Sequence, residues 1–114
     1  MAYTDLKYLK TITDGDKQII GEMIEMFVQQ VPDFVKNFRE FYATHQYASL
    51  GKEVHKAKSS LQIMGMVELE KEMKIFQSKI IDGTDVESYP DHIRHFETQC
   101  SMAFTELREE LARL

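Results

Sequence analysis

Residues 20–41, IGEMIEMFVQQVPDFVKNFREF, decide the fold class. Their apolar side chains fall at Ile20, Ile24, Phe27, Val31, Phe34, Phe38 and Phe41, at spacings that alternate four and three. At about 100° per residue, that alternation keeps the whole set on one stripe of an α-helix; a strand would demand a period of two. Pro32 stands inside the run, where its ring removes a backbone donor and crowds the preceding turn. The apolar phase carries across it, so the stretch reads as one kinked helix rather than two elements.

The same spacing recurs outward in both directions. Toward the N-terminus, Asp5 to Lys10 reads as a short leading helix, and Thr13 with Asp16 three residues on reads as the N-cap of the long one. Toward the C-terminus, polar Thr44-His45-Gln46 makes a turn, and a second stripe runs through Tyr47, Leu50, Val54, Ala57, Leu61 and Met64 until Gly65 closes or bends it. Met66, Leu69, Met73, Phe76 and Ile80 form a third stripe, ended by the turn signal Asp82-Gly83. Ser88-Tyr89-Pro90-Asp91 resembles a capping box with proline in the first turn, where a missing N–H costs nothing. A last stripe follows at Ile93, Phe96, Cys100, Ala103, Leu107, Leu111 and Leu114. Four long amphipathic helices with short loops predict an all-α chain: an antiparallel four-helix bundle with a short extra N-terminal helix, one domain over residues 1–114.

Composition narrows the function classes. A net charge of -5 and a pI near 5.3 argue against nucleic-acid binding, which calls for a basic face. The apolar runs are far too short to span a bilayer, and Tyr3-Thr4-Asp5 meets an acid before any signal-like stretch develops, so a cytoplasmic location with no membrane contact is expected. Cys100, the only cysteine, allows no internal disulfide and sits on a core stripe as a buried thiol. The methionines, spread over core and surface, read as packing filler.

One stretch carries a functional reading beside the structural one, in which histidine and lysines simply make an ordinary solvated helix face. Residues 53–66, EVHKAKSSLQIMGM, gather lysines around a single histidine in an acidic protein. Relative to the stripe centred near Val54, His55 points roughly 130° away, toward solvent. Its helical neighbours are Gly51, Lys52, Lys58 and Ser59, with Gln62 one turn further, all small, polar or cationic. An exposed neutral imidazole is a competent nucleophile at pH 7, and an ammonium beside it would pair with a transferred phosphoryl group. Small neighbours leave room for a partner's active site. No carboxylate cluster that could hold a metal or act as a base accompanies it, and Glu53, on the far side from Lys58, reads as a solvated charge.

The order His55, Ala57, Lys58, Ser59 and Gly65 resembles the motif of histidine-containing phosphotransfer (HPt) domains: histidine, a small or aliphatic residue, lysine, a small residue that is usually glycine, and a later glycine. Ala57 replaces the commoner leucine and Ser59 the usual glycine, and both stay small. Glu22-Met23-Ile24-Glu25-Met26-Phe27 followed by Val31-Pro32 is similar to the family's second helix, so the resemblance covers essentially the whole chain. It implies that His55 is a phosphoacceptor, Lys58 its electrostatic partner, Ser59 a small neighbour that leaves access, and Gly65 the later glycine of the motif. Gln77, on the next helix, matches a position from which some family members hydrogen-bond the imidazole; such a bond would leave one ring nitrogen free to attack. The implied function is a phosphocarrier without autonomous kinase activity. It would take a phosphoryl group from a receiver-domain aspartate and pass it to another receiver. Partners would be receiver domains of response regulators and hybrid histidine kinases, with no cofactor on this chain and a monomeric state.

A docking surface should surround His55. Ile63, about 12 Å further along the axis and far off the stripe, and Met26 on the preceding helix are apolar residues off their stripes. Lys52, Lys56 and Lys58, with Gln62, would complement a receiver's acidic pocket. Two other classes compete: a helical interaction module that binds a signalling partner without phosphotransfer, and a metal site on His92 and His95, one turn apart, with only Asp91 and Glu97 nearby. His45, in a turn, reads as exposed and inert. No nucleophile, base and oxyanion donors fall into the arrangement of a hydrolase.

Overall fold

In a computed structural model, which describes residues 3–114, the chain forms five α-helices and, among the described residues, no strand. They are α1 (Lys7–Ile12), α2 (Lys17–Ala43), α3 (Tyr47–Ile63), α4 (Val67–Asp82) and α5 (Tyr89–Arg113), with a 3-10 turn at Val86–Ser88 before the last. α2 continues as one helix through Pro32. α2 packs on α3, α3 on α4, and α4 on α5, and α5 returns to α2, so the four long helices close a ring around one core. None of the described helices is long and apolar enough to cross a membrane.

The core is built by the stripes. Ile20, Ile24, Phe27, Val31, Phe34 and Phe38 of α2 are buried, and Val35 joins them because α2 faces both α3 and α5 and needs a wider apolar face than one residue per turn. Phe41 is only half-buried, as is Leu111 at the other end of the core, and Leu114, one residue past the end of α5, is exposed. Aromatic rings lock the helices pairwise. Phe34 and Phe38 meet Phe96 of α5 edge-on at 6.3 and 5.2 Å. Tyr89 sits among Tyr42, Tyr47 and Phe76, one from each of the other long helices. Its ring is fully buried, its hydroxyl donates to the Lys79 carbonyl at 2.9 Å, and burial pushes its pKa up.

Helix ends depart from expectation in three places. α1 runs from Lys7 to Ile12 rather than from Asp5 to Lys10, because the Asp5 side chain accepts from the Lys7 N–H (2.9 Å) just ahead of the helix. Thr13 does not cap α2: its hydroxyl donates back to the Leu9 carbonyl at 2.7 Å and finishes α1, while Asp16 accepts from the Ile19 N–H and starts α2. The capping box at Ser88 does not form, since the 3-10 turn draws the Ser88 hydroxyl onto the Asp85 carbonyl (2.7 Å).

Gly65 ends α3 as expected, with φ +67°. Its N–H bonds the Gln62 carbonyl and that of Met66 bonds Leu61, a Schellman closure. There the N-terminal segment crosses, Asp5 N–H donating to the Met64 carbonyl at 3.2 Å. Beyond it, the backbone N–H groups of Tyr3 and Thr4 and the Thr4 hydroxyl all donate to the Glu106 carboxylate of α5, at 2.6–3.1 Å. Burial alone would raise the pKa of Glu106, but these donors outweigh it and hold the carboxyl below its ordinary value.

Candidate functional site

α3 and α4 form an antiparallel pair, and the phase of each carries a polar residue to their seam. Val54 and Phe76 are fully buried core positions; His55 and Gln77, one step further along each helix, emerge where the two surfaces meet. The Gln77 side-chain nitrogen lies 3.4 Å from Nδ1 of His55, and Gln77 Oε1 accepts from the Lys58 ammonium at 3.3 Å. Lys58 thus lies along the seam, half-buried, rather than projecting into solvent. The three side chains make a continuous hydrogen-bonded row: ammonium, amide, imidazole.

His55 is exposed and borders an open groove of about 530 Å³ shared by both helices. Ala48, Gly51 and Lys52 form its α3 wall, and Ile80 and Ile81 its α4 wall. Gly51 brings the helices close, since a β-carbon there would stand 3.3 Å from the Ile80 side chain. Ile81 is 74% exposed, an apolar shelf next to a polar row. Sequence phase missed this residue because Ile80 satisfies the stripe; the signal was available, since Ile81 stands four residues after Gln77 and so on the same face. Ser59, one turn after His55, keeps its hydroxyl on the His55 carbonyl (3.4 Å). Among the described residues, no carboxylate forms an ion pair with Lys52 or Lys58. Two cations therefore flank an imidazole at the lip of an open groove, an arrangement suited to an anionic group held against a ring nitrogen.

Other residues singled out in the sequence lie elsewhere. Lys56 is one step past His55, on the flank facing α2, and stands 3.9 Å from Glu53. Glu53 is not a free solvated charge: it accepts from Asn37 of α2 at 2.6 Å and braces α2 to α3. Met26, 58% exposed, and half-buried Ile63 meet around a second, smaller cleft of about 110 Å³ between α2 and α3. Gln62 is exposed two turns beyond His55. Gly65 lies ten residues along, against Asp5 at the end of α3, so its position there answers to helix closure and a close backbone approach.

The remaining histidines have structural partners. His92 and His95 both direct Nδ1 at the Glu72 carboxylate, the former at 3.3 Å. Lys79 lies 3.1 Å from His92 Nε2, bonds Ser88 and pairs with Asp85 at 2.9 Å. An ammonium can only donate, so His92 Nε2 accepts and the neutral ring donates from Nδ1 to Glu72, an α4–α5 latch stacked on Phe76. Among the described residues, no group of three or more His, Cys, Asp or Glu could hold a metal ion. His45, exposed in the α2–α3 turn, takes the left-handed conformation (φ +56°), and its ring bonds the Tyr47 hydroxyl at 2.9 Å. Cys100 is fully buried, and burial pushes its thiol up to about 12.

Comparison with protein-family models, with curated proteins and with solved structures gave no match.

Proposed function

We propose that this chain is a histidine phosphocarrier of the HPt kind: an antiparallel four-helix bundle with a short extra N-terminal helix that receives a phosphoryl group on His55 and hands it on. The observation that carries this reading is the row Lys58–Gln77–His55, whose glutamine and histidine line an open groove, with Lys52 and Lys58 in no ion pair with a carboxylate among the described residues. It agrees with the motif resemblance at His55, Lys58 and Ser59, and adds Gln77 at hydrogen-bonding distance.

In the transfer, a ring nitrogen attacks the phosphorus of an aspartyl phosphate on a receiver domain. An N–P bond forms, the acyl P–O bond breaks, and its electron pair leaves with the aspartate carboxylate. The chain's share is positioning and charge: Gln77 orients the ring, and Lys58 and Lys52 offset the negative charge on the phosphoryl oxygens. Ile81 offers the apolar contact against which a receiver would seat, with Met26 and Ile63 as a second contact across α3. A monomer working in the cytoplasm, with receiver domains of response regulators and hybrid kinases as partners, fits this reading.

The test is transfer of radiolabel from phosphorylated receiver domains to the protein, with His55→Gln alongside wild type. Acid-labile, alkali-stable label on wild type alone supports the reading. Absence of label from both proteins, across several receivers and a histidine kinase, would leave a helical module that binds a signalling partner without phosphotransfer.

A further inference from the structure

The row at the α3–α4 seam fixes more than the position of the imidazole. An ammonium has donors only, so the atom of Gln77 facing Lys58 at 3.3 Å is the amide oxygen. The amide nitrogen then faces His55 Nδ1 at 3.4 Å. The flipped amide would set NH₂ against NH₃⁺ and leave both without an acceptor, so the lysine selects the orientation. An amide N–H can be accepted only by an unprotonated ring nitrogen. The neutral imidazole must therefore carry its proton on Nε2, the nitrogen that Gln77 leaves free.

That outcome is the reverse of what attack through Nε2 requires, because a protonated nitrogen has no lone pair to offer. We infer that Lys58, acting through Gln77, holds the resting His55 in the Nε2–H tautomer, and that an incoming phosphoryl group switches the tautomer by drawing Lys58 away. The second half of this inference rests on the phosphocarrier reading; the first half does not. Phosphoryl oxygens make shorter, charge-assisted bonds to an ammonium than a neutral amide oxygen does. Once Lys58 turns to them, Gln77 is free to rotate its amide and present Oε1 to the ring. Nδ1 takes a proton from water, Nε2 loses its own to water, and the Nδ1–H donates to Gln77 Oε1. The Nε2 lone pair then attacks phosphorus while the donor carboxylate leaves with the P–O electron pair, and Nδ1 keeps its proton. Lys58 and Gln77 are positioning residues in this scheme, and together they keep an unoccupied site non-nucleophilic at Nε2.

The tautomer is read directly by long-range ¹H–¹⁵N correlation of the histidine side chains at about pH 8.5, above the ordinary titration range of imidazole, with His55→Gln identifying the signals. No phosphodonor is needed, so the result stands apart from the radiolabel experiment. Wild type should be almost wholly Nε2–H. Lys58→Met keeps the length of the side chain but removes its donors, and should raise the ratio of Nδ1–H to Nε2–H about three- to tenfold, the factor carried by one net hydrogen bond. Lys58→Arg keeps a donor for Gln77 and should stay close to wild type. Titrating wild type with inorganic phosphate should move the ratio toward that of Lys58→Met. Equal ratios in wild type and Lys58→Met would overturn the resting-state claim. A ratio unmoved by phosphate at saturation of the groove would overturn the switch.

Discussion

Alanine at Gly65 and, separately, at Gly83 isolates the energetic role of the N-terminal crossing. Both glycines have φ +67°, so both substitutions impose the same left-handed strain of about 1–2 kcal/mol, partly offset by a stiffer unfolded chain. They differ in surroundings. A β-carbon at Gly83 meets nothing within 4 Å, whereas one at Gly65 would overlap the Asp5 carbonyl oxygen and lie 2.7 Å from the Asp5 nitrogen. Asp5 must withdraw, which breaks its bond to the Met64 carbonyl, about 1 kcal/mol, and unseats Tyr3 and Thr4 from the Glu106 carboxylate, roughly 1.5–3 kcal/mol for bonds to a charged acceptor. Gly65→Ala should therefore cost about 3–5 kcal/mol and Gly83→Ala about 1 kcal/mol. Urea unfolding measures both: with a slope of about 1.5 kcal/mol/M, the midpoints should fall by roughly 2–3 M and under 1 M. If the two variants unfold within about 0.5 kcal/mol of each other, the crossing contributes nothing and the reasoning fails.

Three further outcomes follow from groups described above. Glu106 has a folded-state pKa held below its unfolded value, so its contribution is present above the unfolded carboxyl range and fades as pH falls through the folded value; Glu106→Gln should flatten urea stability between neutral and acid pH, and parallel pH curves for the two proteins would count against the clamp. Cys100, fully buried with its thiol near 12, should react with an aromatic disulfide reagent at pH 8 only as fast as the protein unfolds, and fast labelling of the native state would contradict its placement. Tyr89→Phe leaves the Lys79 carbonyl without its hydroxyl donor in the aromatic core, and should lower stability by about 1–2 kcal/mol in calorimetry with no loss of helix content by circular dichroism.

The helices and their inward faces were readable because a period of 3.6 leaves a direct mark on the sequence. Stripes such as Leu50-Val54-Ala57-Leu61 and Leu69-Met73-Phe76-Ile80 are buried throughout. The misplaced caps have one cause: a threonine or serine near a helix end can serve the helix behind it as well as the one ahead, and spacing does not choose between them. Thr13 went back to Leu9 and Ser88 to Asp85. At the site, phase alone brings His55 and Gln77 to one seam, since both helices pack through residues one step away. It also turns Lys56 aside, a consequence that the run of lysines hides in linear order. The link from Lys58 to Gln77 was not legible. It depends on how closely two helices approach, which is set by Gly51 and Ile80 on different elements.

The clamp on Glu106 also fixes the course of the N-terminal segment at Tyr3 and Thr4. Tyr3 is held on α5 two turns before its end, and the ammonium of Lys17, at the start of α2, donates to the Leu114 carbonyl at 3.2 Å. Tyr3 and Leu114 therefore lie toward one pole of the bundle, that of Gly65, about 15 Å along α3 from His55 by helical rise. On the phosphocarrier reading proposed above, a receiver seated at the groove meets α3 and α4 clear of that pole, so the N-terminal crossing braces the bundle without entering the docking face.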